Sequence, residues 1–124
     1  AGVQIGTGYL CSQEASTSAL HRAALLSEAA QHTALTNVFT GRPARGIVNR
    51  LMRDLGPIST DAPAFPLATA ALAPLRAAAE ALGSSDFTPL WAGQNTSGLR
   101  QASAAEITHA WAEAWHQAGK EKAA

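Results

Sequence analysis

The run Gly2-Val3-Gln4-Ile5 leads into Gly6-Thr7-Gly8, and this combination of residue types could hold a phosphate. A phosphate needs several converging N–H donors and close backbone approach, which glycine permits because it has no Cβ. Thr7 can add a hydroxyl donor. The spacing is neither the dinucleotide fingerprint G-x-G-x-x-G nor a P-loop, since no lysine follows, and an ordinary strand-to-helix turn has the same pattern. A second group is Arg42, Arg45, Arg50 and Arg53, with no acid among them before Asp54. Guanidinium forks suit phosphates and carboxylates, but such a run equally makes a solvated face or a set of ion pairs. A third group is Trp91-Ala92-Gly93-Gln94. A glycine beside an amide suits a loop that approaches a ligand or another backbone. The plain alternative is a tryptophan anchoring that loop on the core.

The remaining reactive side chains form no recognisable constellation. His21, His32, His109 and His116 show no H-E-x-x-H spacing and no nearby cysteine, so they read as structural or surface residues. Cys11 reads as a small buried apolar residue. No Ser-His-Asp set or carboxylate pair follows from the spacing. Trp111 and Trp115 read as core or interface.

With 124 residues the chain can build one modest core. Nine basic and nine acidic residues leave no net charge, hence no global attraction for nucleic acid or an anionic membrane. A single cysteine permits no internal disulfide and fits a reducing cytoplasm. No apolar run approaches the roughly 20 residues of a membrane span. Abundant alanine favours closely packed helices.

Residues 2–5 read as a strand buried on both faces, as in a parallel sheet. The strand opens the sequence with no methionine before it, and we therefore expect the chain to be the C-terminal part of a longer protein. A helix is expected over 18–30 with Ser18 as N-cap, a strand over 33–39, a turn at 40–43, and a short helix over 46–55 stopped by Gly56-Pro57. Pro57, Pro63 and Pro66 mark 56–66 as an extended connector. Leu67, Ala71, Leu75, Ala78 and Leu82 form a helical stripe interrupted by Pro74, where a kink or break is expected, and Gly83 ends it. Residues 84–100 read as a loop. Ser103-Ala104-Ala105-Glu106 is a capping box that opens the clearest helix, with Ile107, Ala110, Trp111, Ala114 and Trp115 on one face.

Taken together, the segments Gly2–Thr7, Phe39–Gly46 and Leu90–Gln94 give the chain its resemblance to the C-terminal portion of nitronate monooxygenases, also called 2-nitropropane dioxygenases. The likeness runs over nearly the whole chain. The first segment is shared with related flavoproteins, including a flavin-dependent enoyl-acyl-carrier-protein reductase. The other two are more specific to the family.

The resemblance implies an α/β fold, the C-terminal part of an FMN-binding (β/α)8 TIM barrel with a mostly helical extra domain. Residues 1–30 would supply the last barrel strand and its helix, 31–100 a mainly helical covering domain, and 101–124 a helix packing back on the barrel. The carried-over cofactor contacts are Gln4, Ile5, Gly6 and Thr7 at the FMN phosphate, with Gln94 near the flavin. The implied activity is oxidation of alkyl nitronates or nitroalkanes with O2. No catalytic residue and no metal ligand fall in this chain, because the family's histidine base lies in the first half of the barrel. The implied partners are the small-molecule substrate, O2 and the N-terminal remainder of the same protein. Two other readings remain: another FMN-dependent reductase, and a non-catalytic helical interaction module that binds a partner protein with the Trp111/Trp115 face and the arginine cluster.

Overall fold

In a computed structural model, residues 2–123 are described, as a mixed α/β chain. The only sheet among them is an antiparallel pair, β1 (Thr33–Thr36) and β2 (Ala44–Ile47), with Thr33 opposite Ile47 and Thr36 opposite Ala44. The α-helices among them are α1 (Ala19–Leu25), α2 (Arg50–Leu55), α3 (Leu67–Ala81) and α4 (Ala104–Ala123).

Local signals place several of these elements where the residues demand. Ser18 Oγ accepts from the backbone N–H of His21 and starts α1. At α4 the capping box closes both ways: Ser103 Oγ accepts from Glu106 N–H, and the Glu106 carboxylate accepts from Ser103 N–H at 2.9 Å. Glu14 reinforces this end by accepting from Ala104 N–H. Helix α3 stops in paired bonds from Gly83 N–H to Glu80 C=O and from Ser84 N–H to Ala79 C=O.

Four expectations differ from what the described residues show on their own. Residues 2–5 form no strand. A strand exists only through a hydrogen-bonded neighbour, and no described residue runs beside this segment; Val3 is 68% exposed. The helix expected over 46–55 begins only at Arg50, because Ala44–Ile47 pairs with β1 instead, and Asn49 caps the shorter helix. The region 31–100 is only partly helical: α2 and α3 alternate with the hairpin, the proline-rich connector and a long loop. Finally, α3 runs through Pro74 unbroken. Pro74 is exposed, so water can take the carbonyl that the missing N–H would have bonded.

The apolar stripe of α3 faces outward. Leu67, Leu75 and Leu82 are 63%, 48% and 88% exposed, while Ala68 and Ala79 are buried. The core lies elsewhere, in two clusters. One joins Cys11, Leu25, Ala30, Ile47, Leu90 and Ala92. The other joins Val38, Phe39, Leu51 and Met52, with Trp91 packed edge-on against Phe39. No helix among the described residues is long and apolar enough to cross a membrane.

Candidate functional site

The three singled-out segments meet in space. Loop 90–93 lies along the free edge of β2: Ile47 N–H donates to Leu90 C=O at 2.8 Å and Ala92 N–H donates to Arg45 C=O at 3.1 Å. Gly46 permits this approach, since a Cβ there would sit 3.0 Å from the Leu90 carbonyl oxygen. One residue further on, Gly93 N–H donates to Thr7 Oγ1 at 2.7 Å. The Phe39–Gly46 segment therefore holds the tryptophan loop, and the tryptophan loop holds Thr7. From the other side, His21 Nε2 donates to Trp91 C=O at 2.9 Å. Burial pushes the His21 pKa down, partly offset by that bond, which favours the neutral ring with its proton on Nε2.

Thr7 lies in a 3-10 turn, Thr7–Tyr9, that faces a cleft of about 410 Å³. Residues 3–8 form one wall, and Gly93, Asn95, Ser97, Leu99 and Trp111 the other. Trp111 of α4 covers Gly8 so closely that a Cβ on Gly8 would lie 2.0 Å from Cη2, and it meets Tyr9 edge-on at 5.2 Å. Tyr9 also hydrogen-bonds Thr108 at 2.8 Å, so α4 braces the turn from behind.

The chemistry of the cleft suits a phosphate. No charged side chain lines it. Among the described residues, the N–H groups of Gly6, Thr7 and Gly8 meet no acceptor. Thr7 Oγ1 already accepts from Gly93, which leaves its own proton to donate. Around Gly6 there is open space, with no heavy atom within 4 Å of where a Cβ would stand. The chain's own packing therefore gives no reason for glycine here, whereas an anion close to the backbone would.

Gln4, Ile5, Gly6 and Thr7 all line the cleft. Gln94 is exposed and does not, although its neighbours Gly93 and Asn95 do. The four arginines disperse. Arg42 stacks on Phe65, Arg45 bonds Thr33, and Arg50 pairs with Asp54 at 3.1 Å; Arg53 is exposed. His32, His109 and His116 are exposed, and no metal-binding cluster occurs among the described residues. Cys11 is fully buried and burial raises its pKa, so it is an inert core thiol. Trp115 is 52% exposed. His21, read from sequence as structural or surface, makes a bond that spans 70 positions and leaves no local signal, and Asn95, Ser97 and Leu99 line the cleft without having been singled out.

Comparison with known proteins identifies the family. The nitronate monooxygenase family model matches residues 1–111. A probable nitronate monooxygenase of Staphylococcus aureus strain JH9 is 35% identical over 94 residues, covering 76% of this chain and 26% of the relative. That of strain Newman is 34% identical over the same length. The crystal structure of nitroalkane oxidase from Streptomyces ansochromogenes superposes with a TM-score of 0.82 at 33% identity, covering 95% of this chain and 34% of that one. The chain belongs to the nitronate monooxygenase family, a family of oxidoreductases. It spans about a quarter of the curated relatives it matches.

Proposed function

We propose that this chain is the cofactor-anchoring C-terminal segment of a longer flavoenzyme that oxidises alkyl nitronates or nitroalkanes with O2. The observation that carries this reading is the Thr7–Gly93 hydrogen bond, which joins two family segments at the rim of an uncharged, donor-lined cleft. Gly6 and Thr7 offer backbone N–H groups to the FMN phosphate, and Thr7 adds its hydroxyl. Gln4 and Ile5 form the adjoining wall. When bound, FMN would supply the redox chemistry that links the substrate to O2. The residues of this chain bind and orient its phosphate end, and none of them acts as the base.

In this reading residues 2–5 become the last strand of a (β/α)8 barrel, paired with strands supplied by the rest of the protein. Residues 31–100 cover the barrel mouth, and α4 packs back on the barrel. The unpaired, exposed segment 2–5 and the bare apolar face of α3 support it, since both present surfaces that a larger fold would bury. A single buried thiol supports a reducing compartment such as the cytoplasm.

The test uses the full-length protein. Released flavin is identified by mass, and O2 uptake is followed with a nitronate. We expect FMN and nitronate-dependent uptake. A flavin-free protein, or one that reduces an enoyl thioester with NAD(P)H and ignores nitronates, contradicts the proposal.

A further inference from the structure

We infer that His21 is a positioning residue for the phosphate site, acting through the tryptophan loop on the hydroxyl of Thr7. This rests on the reading of that cleft as the FMN phosphate site.

The inference starts from a relay of fixed contacts. The backbone of His21 is held at the start of α1 by Ser18, and its ring is half-buried. Its only described hydrogen-bond acceptor is the Trp91 carbonyl, 2.9 Å away. A carbonyl only accepts, so Nε2 carries the proton. Two residues beyond Trp91, Gly93 N–H donates to Thr7 Oγ1 at 2.7 Å. Between them Ala92 is buried and its N–H is bound to Arg45, so the intervening backbone has little freedom to absorb a shift. A hydroxyl that must accept from a fixed direction has its own proton confined to the remaining directions, and Thr7 lines the cleft. Removing the His21 donor leaves the Trp91 carbonyl without its partner, and because Ala92 stays bound to Arg45, the resulting small shift of the Trp91 peptide passes to Gly93 and to the direction in which the Thr7 hydroxyl points. The effect is specific to the phosphate end of the ligand.

The test measures dissociation constants of the full-length protein for FMN and for riboflavin, which lacks the phosphate, by quenching of flavin fluorescence. Thr7→Ala is expected to weaken FMN about ten- to 150-fold, the range for one lost hydrogen bond to a charged group. His21→Ala is expected to weaken FMN by a smaller factor, at least about twofold, and to leave riboflavin unchanged. His21→Gln, whose amide nitrogen can reach the position of Nε2, restores FMN affinity. The double variant His21→Ala/Thr7→Ala binds FMN no worse than Thr7→Ala alone, because His21 acts through Thr7. If the two losses multiply in the double variant, or if riboflavin weakens as much as FMN, His21 is merely structural and the inference falls while the phosphate site stands. If Thr7→Ala itself leaves FMN affinity unchanged, the phosphate reading of the cleft falls and takes the inference with it.

Discussion

Thr7 and Gly93 lie 86 residues apart in the sequence, yet the Gly93 N–H donates to Thr7 Oγ1 at 2.7 Å. This bond closes the cleft. It fixes the acceptor side of the Thr7 hydroxyl and leaves the donor side for a ligand. Replacing Thr7 by alanine in the full-length protein removes both roles and should weaken FMN binding by about 1.5–3 kcal/mol. Thr7→Ser keeps the hydroxyl and should retain most of the affinity. Fluorescence titration with FMN checks the pair; equal affinities for the alanine and serine variants would take the hydroxyl out of the site.

Gly8 is where the turn and α4 touch. A methyl group there would lie 2.0 Å from Trp111 Cη2, far inside contact distance, and moving the ring aside would disturb its edge-on packing on Tyr9. Gly8→Ala should cost about 1–3 kcal/mol of stability, as overpacking does. Adding Trp111→Ala should recover part of the loss relative to Trp111→Ala alone. Urea unfolding of the four proteins gives the comparison, and a Gly8→Ala variant as stable as the parent would contradict the packing.

Glu80 ties α3 to the loop that carries Trp91. Its Oε1 accepts from Arg76 Nε at 2.7 Å and from Thr88 Oγ1 at 2.7 Å. The Arg76 bond first, then the Thr88 bond, hold the Glu80 pKa below its ordinary value of 4.5, against a smaller opposing effect of burial. A folded-state pKa that is lowered stabilises the fold above the unfolded value and loses that contribution as pH falls through the folded one. The stabilisation is therefore complete above about pH 5 and drains away below 4.5. The carboxylate is a third exposed, so solvent screening keeps the effect small. Thermal melts from about pH 7 to about pH 3 should show a smaller acid loss in Glu80→Gln than in the parent. Parallel curves would show that the carboxylate contributes nothing.

Much of the local structure was legible because its causes are local. Ser18 and the Ser103–Glu106 box cap helices through partners three residues away. Gly83 ends α3 with bonds to its own last turn. Gln4 through Thr7, which the family resemblance singles out, line the cleft.

What escaped depends on distant partners. Ala44–Ile47 contains an arginine and a glycine and lacks strand-like alternation; it is a strand because β1 lies on one side and Leu90–Ala92 on the other. Residues 2–5 have strand composition but no described neighbour to pair with. The stripe from Leu67 to Leu82 has helical spacing, and spacing alone does not say which face is buried; here Ala68, Leu72 and Ala79 turn inward instead. His21 gave no signal because its acceptor is a backbone carbonyl 70 positions away.

The central claim is that Gly6 and Thr7 hold the phosphate of FMN. The most direct measurement is the position of that phosphate in a crystal structure of the full-length protein with its flavin. The account predicts phosphate oxygens within hydrogen-bond distance, about 2.7–3.2 Å, of the Gly6 and Thr7 backbone nitrogens, with Thr7 Oγ1 bridging to Gly93. A phosphate seated on other residues, with this cleft holding only water, would contradict it.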